Sequence, residues 1–111
     1  MYLKPRQIFQ KFLVEAKITR IDETGRQRAE FKPTGMEIFG VLCTIEPRER
    51  DKLFGLKHEA DCKIVQHNGG IRAQVGDKLI SGKRKFLVKA VETPAGLGYW
   101  QIYYATERND L

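Results

Sequence analysis

The sequence predicts a mainly β protein: a small antiparallel barrel or sandwich with one short helix at about 47–54 and a long polar loop at about 22–36. Three observations lead there. Short runs of strand-forming residues recur along the chain, separated by strong reversal signals such as Asp22-Glu23-Thr24-Gly25, Asn68-Gly69-Gly70 and Ser81-Gly82. A length of 111 residues holds one core and leaves no room for a second, so residues 1–111 read as a single domain. Hydrophobic residues make up 41% and charged residues 31%, which is enough apolar material for a packed interior and rules out a disordered chain.

At the start, Pro5 suits a first helical position and Ile8, Phe9, Phe12 and Leu13 form an i, i+4 stripe, while Phe12, Val14, Ala16 and Ile18 alternate as a strand does. The reading is a helical turn near 5–10 passing into a strand over about 12–21. Arg26 to Gly35 is polar and ends on Pro33 and Gly35, hence the expected loop. Glu37 to Ile45 reads as a strand, with Gly40 marking a bulge or a close contact. Pro47, Glu49, Asp51 and the stop at Gly55 predict the short helix. Ala60 to His67 reads as a further strand. Asp77–Ser81 and Lys85–Glu92 pair as a hairpin across Gly82, and Tyr99 to Glu107 is the last strand. On that strand Trp100, Ile102 and Tyr104 share one face, and Tyr99, Tyr103 and Ala105 share the other. Both faces are apolar. The expectation is that Trp100 lies in the core and that Tyr99 and Tyr103 lie at a subunit contact.

The net charge of +6 comes from 20 basic and 14 acidic residues. Residues 1–35 hold eight basic and four acidic groups, 36–75 six of each, and 76–111 six and four, so the excess sits at the two ends and favours a polyanion. No run approaches about 20 apolar residues, so no membrane span is expected, and MYLKPRQ carries no apolar signal-peptide region. Cys43 and Cys62 read as reduced core thiols. Together with His58 and His67 they lack the paired spacing of a structural zinc site, so neither metal nor cofactor is expected. No phosphate loop, dinucleotide fingerprint or activated nucleophile is present, and an enzyme is not expected. Two basic sets remain as candidate DNA- or partner-facing residues: Lys83, Arg84 and Lys85 at a hairpin end, and Arg26, Arg28 and Lys32 in the polar loop. For the first set the structural alternative is a solvated hairpin end whose charges guard against edge pairing, and for the second a solvated loop surface. Any DNA contact read from them is non-specific, because no base-reading helix is apparent.

Two family resemblances follow. QVGDKLISGKRK is similar to the KOW-type basic β-turn motif of ribosomal proteins and transcription factors, although KFLVKAVE lacks the glycines that continue it. Over most of its length the chain resembles the small head-closure (stopper, or head–tail joining) proteins of tailed bacteriophages and prophage-like elements. The resemblance is carried by the opening LKP segment, the FGL turn in KLFGLKHEAD, the VGDKLISGKRKFLVKAV element and the aromatic GYWQIYYATE strand. It implies a β-barrel subunit of a homo-oligomeric ring at the head–tail interface of the virion, made in the bacterial host cytoplasm. Its partners would be portal, adaptor and tail proteins, with the ring surrounding exiting double-stranded DNA. A projecting loop gates the channel in some members, and here the candidate is Glu23 to Met36. The alternative is an SH3-like or KOW-like barrel that binds nucleic acid non-specifically as its own function.

Overall fold

The computed structural model describes residues 9–45, 60–67, 69–93 and 100–111. Among these residues six strands form one antiparallel sheet: β1 (Gln10–Ile21), β2 (Gln27–Thr44), β3 (Cys62–His67), β4 (Lys78–Ser81), β5 (Arg84–Glu92) and β6 (Trp100–Glu107). The spatial order is β1-β2-β3-β6-β5-β4, and β4 pairs back onto β1, so the sheet closes on itself. No helix occurs among the described residues, and none there is long and apolar enough to cross a membrane. The helix expected at 47–54 lies outside the described residues, as do residues 5–8 of the turn expected near 5–10; of the remainder, Gln10 is already part of β1 and not of a helical turn.

Alternation sorts the side chains into an inside and an outside. Phe12, Val14, Ile38, Ile64, Leu79, Phe86, Val88, Tyr103 and Ala105 fill the interior, and Phe12 meets Phe86 edge-on with ring centroids 5.8 Å apart. A smaller cluster of Ile45, Ala60 and Tyr104 is buried on the outside of the sheet, backed by Ala90 and Ile102. Gly40 sits where β2 and β3 cross closely. A Cβ there would stand 2.7 Å from the Val65 carbonyl oxygen, so the position is a close contact with unbroken register on both sides and not a bulge.

The polar loop expected at 22–36 is instead a β-hairpin. Ala16 to Ile21 pairs with Gln27 to Lys32 in continuous register, turning through Asp22 to Arg26. Only the stretch 34–36 departs from it. There β2 spends Thr34, Gly35 and Met36 against the single residue Val14, Gly35 takes φ +78°, and the Thr34 hydroxyl donates to the Val14 carbonyl at 3.0 Å. The stretch reads as polar because beyond this bulge the two strands leave the closed body and bury neither face against a core. β4 accompanies β1 only as far as Glu15, and β3 meets β2 only from Gly40 onward. The result is a two-stranded ribbon of six residue pairs, roughly 20 Å long, on a molecule measuring 52 × 30 × 29 Å.

The last strand is also assigned the other way round. Tyr103 is fully buried inside the sheet, and Trp100 is 40% exposed on the outside. Tyr103 therefore cannot present itself to a neighbouring subunit, and Tyr99 lies outside the described residues. The phenol of Tyr103 donates to Gln66 Oε1 at 2.7 Å and accepts the Arg72 amide at 3.0 Å, while Arg72 Nη1 reaches the Glu37 carbonyl at 2.8 Å. The 69–73 segment is thereby tied across one end of the interior, and its last residue, Ala73, is buried. Removing the phenol oxygen takes a partner from the buried Gln66 and from the part-buried Arg72 amide, so Tyr103→Phe should lower unfolding free energy by about 1–3 kcal/mol in urea titration. Tyr103→Ala should destabilise far more than Trp100→Ala. The opposite ranking in thermal melts would reverse the inside–outside assignment.

Candidate functional site

The ribbon has two unlike faces, because residues directly opposite each other in an antiparallel pair project to the same side. One face carries Ala16, Ile18 and Arg20 with their partners Lys32, Glu30 and Arg28. The other carries Lys17, Thr19 and Ile21 with Phe31, Ala29 and Gln27, and Lys17 is its one charge. Of the loop set expected from sequence, Arg28 and Lys32 thus share a face, while Arg26 belongs to the end turn. Arg20, which lies directly opposite Arg28, was missed. The signal was available, since centring the chain reversal on Asp22 to Gly25 places those two arginines across from each other.

This charged face is largely compensated. Arg20 Nε stands 3.2 Å from a Glu30 carboxylate oxygen and Arg28 Nε 3.4 Å from Asp22. Lys32 has no ion-pair partner among the described residues, and neither has the Arg26 guanidinium. The end turn is set by Asp22. One carboxylate oxygen accepts the Thr24 hydroxyl at 2.7 Å and the amides of Thr24 and Arg26, both at 2.9 Å. Those bonds, the Thr24 hydroxyl foremost, hold the Asp22 carboxyl below its ordinary range. The base of the ribbon is fixed as firmly. Lys78 pairs with Glu15 at 3.0 Å in a half-buried setting and lies 4.9 Å over the Phe31 ring, while Asp77 accepts the Lys17 amide at 3.3 Å.

The hairpin set does not form a free cluster. Arg84 donates from Nε and Nη2 to Glu107 at 2.7 and 3.0 Å, a two-point contact that holds the Glu107 carboxyl low and the guanidinium high. Lys85 donates to the Leu111 carbonyl at 2.8 Å. Lys83, in the turn, is the member without a partner among the described residues. This turn lies beside Gln10, which bonds Ser81 at 3.4 Å, whereas the ribbon ends at Ile21. Along β1 the hairpin turn is thus about 20 Å from Lys32, which lies opposite Ala16, and about 33 Å from Arg28, which lies opposite Arg20, at the rise of an extended strand.

A third feature was not anticipated. A groove of about 290 Å³ runs along the outer face of β2, β3 and β6, floored by Val41, Val65 and Ile102 and walled by Phe9 and Trp100. Lys63 and His67 flank it, and His67 packs on the Trp100 ring at 4.3 Å. Phe9 in turn stacks on the exposed Phe39 at 5.9 Å. The sequence signal is the apolar outer parity of three adjacent strands, visible only once the pairing of β3 with β6 is known.

Among the described residues no three of His, Cys, Asp and Glu gather as a metal site would need. Cys62 is buried and donates to the Ala105 carbonyl at 3.3 Å; burial first, and then the neighbouring Asp61, push its thiol from 9.0 up to about 12. At neutral pH it stays protonated, the opposite of an activated nucleophile. Cys43 is half-buried and likewise unbridged. No protein-family model matches the chain, and no curated protein matches it in sequence.

Two outcomes are expected. Asp22→Ala should leave the global melting temperature nearly unchanged while speeding hydrogen exchange at the Thr24 and Arg26 amides. Acidification through the carboxylate range should act in the same direction, because a depressed carboxyl contributes order above its ordinary pKa and loses it as pH falls through the folded value. Cys62 has the opposite sign. The folded chain keeps its thiol proton to higher pH than the unfolded chain, so its contribution is complete below about pH 9 and is lost towards about pH 12. Replacing Cys62 with Ala should flatten that alkaline decline in unfolding free energy.

Proposed function

We propose that the chain is a structural subunit of a bacteriophage head–tail connector ring, of the head-closure or stopper type, joining portal and adaptor to tail around the exiting DNA. The observation that carries this reading is a small closed sheet bearing a rigidly based, charged ribbon that leaves the body on its own. A compact body suits ring packing, and a projecting arm suits contact with a neighbouring copy or with DNA in a channel. The reading assigns the protein no catalytic step and no cofactor. It places the protein in the virion at the head–tail interface, and in the bacterial host cytoplasm before assembly.

A specific observation favours a second reading, a small barrel that binds nucleic acid without sequence preference: Arg20, Arg28 and Lys32 share one ribbon face. Since Arg20 and Arg28 are already paired with carboxylates, binding by a single copy should be weak. Contact with about three phosphates gives a slope of log affinity against log salt near −3.

The purified chain should co-sediment with DNA-filled capsids that carry portal and adaptor, and not with capsids lacking them. Replacing residues 17–31 with a short turn should preserve that co-sedimentation if the body makes the docking contacts, while reducing retention of packaged DNA. In gel-shift assays the free chain should lose most DNA binding between low salt and about 200 mM. Failure to bind portal-bearing capsids, together with duplex binding at low salt that falls along that slope, would decide for the nucleic-acid module.

A further inference from the structure

Ile21 is the most exposed large apolar side chain among the described residues, at 72%, and it stands at the far end of the ribbon. Among the described residues nothing covers it. Its face of the ribbon continues through Thr19, Ala29 and Gln27 without a charge until Lys17. An apolar tip on a neutral face is costly to leave in water and is shaped to lie against something apolar.

The outer groove is the matching surface. Its floor and walls are Val41, Val65, Ile102, Phe9 and Trp100, and its volume of about 290 Å³ takes a side chain or two rather than a folded element. Charge agrees with shape. Lys63 flanks the groove, and Glu23, two residues beyond Ile21, has no ion-pair partner among the described residues, whereas the intervening Asp22 is spent on the turn.

The two surfaces cannot meet within one molecule. Phe9 walls the groove and directly precedes β1, and Ile21 ends β1, so twelve residues of extended strand, roughly 40 Å, hold them apart. The Glu15–Lys78 pair and the Asp77 contact keep the ribbon from folding back. We infer that the ribbon tip of one copy docks, through Ile21 and its neutral face, in the Phe9–Val65–Trp100 groove of a second copy of this chain. The contact is head-to-tail: each copy offers a tip at one end and a groove at the other, so the same contact repeats and generates a closed ring or an open filament. This rests on the reading of the chain as a self-assembling subunit, though not on the identity of its phage partners, and it leaves the arginine face of the ribbon uncovered.

Head-to-tail pairing predicts a complementation that face-to-face pairing does not. Sedimentation velocity over a concentration series should show the full chain assembling beyond dimers. Ile21→Glu removes the tip and Trp100→Ser opens the groove, and each should weaken association roughly tenfold or more. Mixed together, the two variants retain one intact tip and one intact groove between them, and should form one-to-one dimers that go no further. Thermal melts check that each variant folds, with Phe9→Ser replacing Trp100→Ser if the latter does not. A chain that stays monomeric, an Ile21→Glu variant that assembles normally, or a mixture that remains monomeric while the parent assembles would each overturn the inference. Capsid co-sedimentation keeps the two proposals apart. A monomeric chain that still binds portal-bearing capsids overturns only the tip–groove contact, and a chain that assembles as expected but ignores capsids overturns only the connector reading.

Discussion

Three residue pairs hold the whole arrangement together: Leu13 with Ile80, Val14 with Leu79, and Glu15 with Lys78. They are the short ladder by which β4 returns to β1 and closes the sheet. Without it β1 and β4 would be open edges, and the interior packed between Phe12, Leu79 and Phe86 would lose a wall. Because the ladder stops at Glu15, it also defines where the body ends and the ribbon begins. The Glu15–Lys78 ion pair, well sheltered from water, secures its last rung and at the same time roofs the Phe31 ring at the ribbon base. One boundary thus sets the closure of the core and the reach of the arm.

Electrostatics follow from that geometry more than from the net charge. The basic excess, split between the chain ends in sequence, is also split in space, with Lys83 beside Gln10 and the arginines of the ribbon at the other extremity of β1. Arg20, Arg28 and Arg84 each face a carboxylate at 3.4 Å or less, so only part of the formal charge is available to an external phosphate. Exposed pairs of this sort contribute little stability. Their larger effect is to hold long side chains in fixed directions.

The strands over 37–44, 62–67, 78–81, 84–92 and 100–107 were legible in the sequence because each carries a buried face and ends at a glycine-marked turn or a polar break. The ribbon was not. Its residues from Arg26 to Lys32 bury neither face, so the alternation that betrays a strand is missing, and Pro33 and Gly35 read as the end of a loop. In fact Pro33 occupies an edge where no further strand asks for its missing N–H, and Gly35 is the left-handed residue of the bulge. The parity of β6 was undecidable for a related reason. Trp100-Ile102-Tyr104 and Tyr103-Ala105 are both apolar, and the choice falls to partners distant in sequence, Gln66 and Arg72, which supply the hydrogen bonds the Tyr103 hydroxyl needs indoors. Of the candidate site, Arg28 and Lys32 were found from composition; Arg20 and the groove required the pairing.

β1 is continuous from Gln10 to Ile21, so it belongs to the body and to the arm alike. Any tension applied at the tip is therefore carried along β1 into the β1–β4 ladder, as it is along the equally continuous β2 into the β2–β3 ladder, and the hydrogen bonds of both lie across the direction of pull. Loaded that way they share the force and must fail together, whereas a strand peeled from its end yields one bond at a time. An arm built as an extension of a wall strand, and not as an appended loop, makes the molecule a tie-rod: pulled by whatever holds the tip, it transmits the load to its core without first unravelling.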